Sequence, residues 1–119
     1  MKKNILFILQ HAPHGNSSTR ESLDAALACA AFDQQVQLLF IDEGVWNLLP
    51  GQHAGAINSK DTGKMLGALA YYDIRDVFAD SFSLQARQLP ADALAIPVTI
   101  LPADAVRALV KHADCVIQL

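Results

Sequence analysis

Apolar and polar positions along the chain fall into two periods. Five short runs read as strands: "ILFIL" (5–9), "VQLLFI" (36–41), "DVFADS" (76–81), "PVTIL" (97–101) and "CVIQL" (115–119). The first two are nearly continuous apolar runs, the pattern of strands covered on both faces. Between the runs, apolar residues recur at helical spacing. Leu23, Ala26, Leu27 and Ala30 fall at i, i+3, i+4 and i+7. Met65, Leu66, Leu69 and Tyr72 make a second stripe, and Val106, Leu109, Val110 and Ala113 a third. Strand–helix alternation with such strands predicts an α/β fold, a three-layer α/β/α sandwich around a five-stranded sheet.

Local chemistry supports the helix boundaries. Ser18-Thr19-Arg20-Glu21 has the spacing of a capping box, in which Ser18 accepts from the Glu21 N–H and Glu21 reaches back. The third helix has Pro102 for its first turn, Asp104 near its positive end, and Lys111 and His112 near its negative end. "LPADA" occurs at 89–93 and again at 101–105. Five residues are too short for a structural repeat, so this reads as helix-initiation chemistry used twice. The stretch 42–61, "DEGVWNLLPGQHAGAINSKD", has no regular period. It follows the second strand and belongs at the carboxyl edge of the sheet, where ligands of such folds bind. Val45, Trp46, Leu48 and Leu49 form an apolar cluster there, ended by the turn pair Pro50-Gly51. We expect these four residues at or beside a subunit interface. The competing expectation is that Trp46 folds back and completes the chain's own core.

Composition adds a second reason to expect partners. The chain has 119 residues, the size of one domain (1–119), with 52% hydrophobic and only 18% charged residues. Typical soluble domains carry roughly a quarter charged residues. A small domain buries a small share of its surface, so part of this apolar surplus is expected to meet another protein. The net charge is −3 and the basic residues are scattered: Lys2 and Lys3 at the start, Lys60 and Lys64 as the closest helical pair. Without a basic stripe, direct nucleic-acid binding by this chain alone is not expected. No apolar run approaches the ~20 residues of a membrane span. "MKKNILFILQ" imitates a signal peptide, but its apolar core of five residues is short of one and reads as a first strand. The expected location is cytoplasmic, with Cys29 and Cys115 as thiols.

Candidate chemistry concentrates in "QHAPHGNSSTRESLDAALACAAF" (10–32), where the first strand gives way to a helix. A phosphate cradle would need GxGxxG or GxxxxGK[ST], and Gly15 stands alone. Zinc would need three or four ligands. His11 and His14 flank Pro13 with no further ligand spacing, and His53 and His112 lie elsewhere. His11 and His14 remain candidates for a pocket rim. Cys29, inside the first helix, reads as a packed or half-packed thiol, and Cys115 as core. Of Tyr71 and Tyr72, one ring is expected in the core and the other at an interface.

Four segments together carry a resemblance. "APHG" (12–15), "FIDEGVWNLLPGQ" (40–52), "YYDI" (71–74) and "SLQAR" (83–87) resemble the DsrE/DsrF-like family of small subunits, in its DsrF/TusC branch. "EGVWNLLPGQ" is the most specific piece, and the similarity spans essentially the whole chain. The resemblance implies a cytoplasmic α/β protein with a five-stranded, mainly parallel sheet. It implies assembly with TusB-like and TusD-like (DsrH-like and DsrE-like) subunits into a heterohexamer of two heterotrimers. That complex relays persulfide sulfur from a TusA-like carrier to a TusE-like acceptor, towards 2-thiouridine at the tRNA wobble position. The DsrEFH version serves sulfur oxidation. The resemblance brings no cofactor and no metal.

One departure from the family is informative. The sulfur-accepting cysteine of the TusD/DsrE-type subunit follows the third strand, and "DVFADSFSLQAR" (76–87) contains no cysteine. Serine cannot replace a thiolate in sulfur exchange. The expected role is therefore a non-catalytic subunit, with no catalytic residue of its own. Two other readings stand beside it: an active sulfur carrier using Cys29 or Cys115, and a small-molecule or nucleotide-binding module using the loops at 10–18 and 42–61.

Overall fold

Strand β1 (Asn4–Leu9) lies between β2 (Gln35–Phe40) and β5 (Cys115–Gln118). Beyond β2 follow β3 (Asp76–Asp80) and β4 (Thr99–Leu101), giving the order β4-β3-β2-β1-β5 with every pairing parallel. The computed structural model describes residues 2–13, 17–50 and 62–119. Aligned residues in a parallel sheet share a face. Phe7 lies opposite Leu38 and Ile117, and Leu38 opposite Val77, so these side chains form a band across one face.

The two faces are covered unequally. Helices α1 (Ser18–Ala31), α2 (Thr62–Ala68) and α3 (Ser81–Ala86) contribute Leu23, Ala26, Met65, Leu66 and Leu84 to the main core, against Phe7, Leu38, Phe40 and Val77. The opposite face carries a smaller cluster of Leu6, Ile8 and Leu39, packed by Ile41 and Phe78 from the sheet and by Val106 and Leu109 of α4 (Ala103–His112) with Ala113 at its end. The cause is topological. From β1 to β4 each strand is added on the same side of the last, and right-handed crossovers then put every connecting helix on one face. The step from β4 back to β5 runs the other way across the whole sheet, so its helix falls on the other face.

The five expected strands are present, and the α/β reading holds, with an all-parallel sheet. Strand β4 is shorter than the run 97–101, because Pro97 and Val98 precede its ladder. Helix α3 was not expected. Asp80 ends β3 by accepting from the Ser83 N–H at 3.1 Å, which caps a helix where the apolar run had continued the strand. Both "PAD" segments open helical turns, with Pro90 and Pro102 as N-caps. Pro102 thus stands just before the first turn of α4.

Four other expectations need correction. The N-cap of α1 is Ser17, not Ser18: the Ser17 carbonyl accepts from the Glu21 N–H at 2.9 Å, and the Ser17 hydroxyl bonds the Glu21 carboxylate at 2.6 Å. With ψ at 3°, Ser17 lacks the extended backbone that aims a cap oxygen back at the helix. Tyr72 does not complete the second stripe, and neither tyrosine is core: Tyr71 is 91% and Tyr72 44% exposed. Both sit in the 3-10 turn Leu69–Tyr72 that ends α2, which turns them off the buried face. Val110 leaves the third stripe as well, at 36% exposure, because a lone helix over a sheet buries one narrow side. Cys115 is exposed, since β5 is an edge strand with thin cover.

Candidate functional site at the carboxyl edge of the sheet

Among the chain segments that leave the sheet at its carboxyl edge, three build the candidate site: the loop His11–Pro13 after β1, the 3-10 helix Asp42–Leu48 after β2, and the corner into α3 after β3. A 3-10 helix repeats every three residues, so side chains at i and i+3 eclipse. That period sorts the apolar cluster. Val45 and Leu48 share the inner face and are fully buried in the main core. Gly44 and Asn47 share a second buried face. Glu43, Trp46 and Leu49 fall on the third, with Glu43 exposed and Trp46 and Leu49 half-buried. The expected interface set therefore divides. Val45 and Leu48 belong to the chain's own interior, and only Trp46 and Leu49 retain surface for a partner.

Two residues that the sequence did not single out hold this edge together. A Cβ on Gly44 would stand 1.9 Å from the carbonyl oxygen of Leu9. The backbone of the 3-10 helix lies directly on the end of β1, and only glycine permits that approach. Asn47, 2% exposed, donates from Nδ2 to the carbonyls of His11 (2.8 Å) and Gly44 (2.9 Å). Thr19 Oγ1 of α1 donates to the same His11 carbonyl at 3.2 Å. Thus one amide ties the β1 loop, α1 and the 3-10 helix into a unit. His11 takes part through its backbone. His14 lies outside the described residues, as do Gly51 and the rest of 51–61.

The corner after β3 is also closed by hydrogen bonds. Ser83 is 1% exposed; its hydroxyl donates to Asp80 Oδ2 at 2.6 Å and accepts from the Asp42 N–H at 2.9 Å. Arg87 donates from Nη1 to the Ser83 carbonyl and pairs through Nε with Glu43 at 3.4 Å. The buried Ser83 hydroxyl thus bridges the Asp80 carboxylate and the Asp42 backbone, tying the β3 corner to the 3-10 helix. Cys29 is half-buried on α1 and Cys115 is exposed on β5. Among the described residues, no group of three or more His, Cys, Asp or Glu could hold a metal ion, and no helix is long and apolar enough to cross a membrane. An apolar cavity of about 310 Å³ opens away from this edge, where Leu66, Leu69, Ile74 and Val77 meet Ile96 and Pro97.

Comparison with known proteins points one way. The profile of the DsrE/DsrF-like family matches residues 3–119. A "Protein TusC homolog" of Pseudomonas aeruginosa is 39% identical over 119 residues, covering 100% of both chains. "Protein TusC" of Klebsiella pneumoniae is 35% identical over 117 residues, 98% of each chain. Among solved structures, the ychN protein from E. coli superposes with a TM-score of 0.85 at 23% identity, covering both chains in full. That last likeness shows the fold.

Proposed function

We propose, because this chain belongs to the DsrE/DsrF-like family, that it is a non-catalytic, TusC-type subunit of a cytoplasmic sulfur-relay complex. The observation that carries this reading is 39% identity over the whole length to a protein named as a TusC homolog. In this reading the chain assembles with TusB-like and TusD-like subunits into a heterohexamer. The assembly passes persulfide sulfur from a TusA-like to a TusE-like carrier, for 2-thiouridine at the tRNA wobble position. The non-catalytic role is supported by the corner after β3. Where a relay cysteine would be required, residues 76–87 contain none, and Ser83 is sealed into the Asp80–Asp42 network. Trp46 of the 3-10 helix and Leu49, which caps it, are the two of the four apolar residues that keep surface for a partner subunit.

The test is genetic and chemical. Deleting the gene should abolish wobble 2-thiouridine in a nucleoside digest of total tRNA, and a tagged chain should co-purify with two homologous subunits. Intact thiolation together with lost sulfur oxidation would move the chain to the DsrEFH-type role. Replacing Cys29 and Cys115 together by serine should leave sulfur transfer by the folded complex unchanged. Loss of transfer from a correctly folded complex would make this chain a carrier.

A further inference from the structure

The connection from β3 to β4 carries an unusually short helix. The six residues of α3 are about 9 Å long, against about 16 Å for the five residues of β3. Helix α3 starts at the carboxyl end of β3, and none of its residues lines the cavity of about 310 Å³ at the other end. There Leu66 and Leu69 of the α2 segment face Ile74, Val77 and Ile96 across open space. Natural interiors keep few voids larger than a water molecule, because each one costs stability. This space is at the small end of natural ligand pockets, which run from about 300 to 1,000 Å³.

The lining states what would fit. It contains no aromatic ring to stack on, and Arg75 is its only polar side chain. Apolar cavities of about 150 Å³ already admit benzene, a six-carbon molecule. Twice that volume suits a flexible aliphatic chain of about eight to ten carbons. Arg75 is 70% exposed, which places its charge at the mouth. It contacts Asp73 through Nε at 3.3 Å, and Asp73 is 87% exposed, so water screens that pair. Both terminal amino groups of Arg75 have no partner among the described residues. They are the forked donors that a carboxylate accepts from. We propose that this cavity binds an aliphatic monocarboxylate, with its chain inside and its carboxylate on the terminal amino groups of Arg75. The inference does not depend on the sulfur-relay reading, since the cavity lies away from the carboxyl edge of the sheet.

Isothermal titration calorimetry of the full chain with octanoate, 1-octanol and octylammonium tests it. Octanoate should bind saturably and about two- to fivefold more tightly than 1-octanol, as for an exposed ion pair, with octylammonium weakest. Arg75→Gln should remove the preference for octanoate and leave 1-octanol binding unchanged. Asp73→Asn should tighten octanoate alone, by removing the competing carboxylate. Gly67→Leu should abolish binding of all three by filling the cavity. A Cβ at Gly67 meets nothing within 4 Å, so the fold accommodates the change, and a thermal melt confirms it. Octanoate that gives no saturable heat at millimolar concentration overturns the proposal. So does octanoate that binds no better than 1-octanol, keeps its preference in Arg75→Gln, or still binds to folded Gly67→Leu.

Discussion

Asn47 commits both amide hydrogens to backbone carbonyls, so its orientation is set, and its Oδ1 is buried without a partner among the described residues. Asn47→Ala strips the His11 and Gly44 carbonyls of that donor, at a cost of about 1–3 kcal/mol in urea denaturation. Asn47→Asp should cost more at neutral pH, because a carboxylate would face those two carbonyl oxygens. Burial and that repulsion raise the folded-state pKa of the new carboxyl above its unfolded value. The variant should therefore lose stability relative to the parent as pH rises above the unfolded carboxyl pKa, roughly 4. Midpoints that move in parallel for variant and parent across pH 4–8 would contradict this. Gly44 is constrained differently, by space alone. Gly44→Ala drives a methyl into the Leu9 carbonyl and should destabilise by about 3 kcal/mol. An unshifted melting temperature would count against that close approach.

At the scale of elements, the 3-10 helix shows what a sequence discloses and what it withholds. Its apolar content was plain, but Val45, Trp46, Leu48 and Leu49 fit neither the helical nor the strand period. Only the three-residue repeat separates inner from outer side chains. Two substitutions should separate them experimentally. Leu48→Ala should lower the stability of the isolated chain by roughly 2–5 kcal/mol. Trp46→Ala should lower it by only about 1–2 kcal/mol, since Trp46 is half-buried, while weakening association with partner subunits. Equal losses of stability would contradict this division. The central strands were legible because both their faces are covered, which leaves continuous apolar runs. Edge position leaves no such mark, and so exposed Cys115 read as core. Adjacent serines gave two choices of cap, and backbone geometry rather than composition selected Ser17. Helix α3 was hidden because Asp80 and Ser83 look like any polar interruption until their side chains meet the backbone.

For the whole molecule, one thick helical layer and one thin layer imply uneven stability. Amide exchange should be slowest in β1 and β2, inside the sheet and fully sealed on one face. It should be fastest in β4 and β5, which form the two edges. Uniform protection across the five strands would argue against that order. The placement of β5 has a consequence for biosynthesis. β1 is made first, yet one of its two neighbours comes last. Asn4 donates to Asp114 and accepts back from it across a separation of 110 residues. During translation β1 can pair with β2, and β3 and β4 can follow, while the outer hydrogen-bonding edge of β1 stays open. Until β5 is complete, the nascent chain presents an apolar strand edge able to recruit other chains. A stop codon after Ala113 should therefore yield aggregates rather than a smaller soluble domain, and addition of a peptide spanning 114–119 during refolding should recover soluble protein.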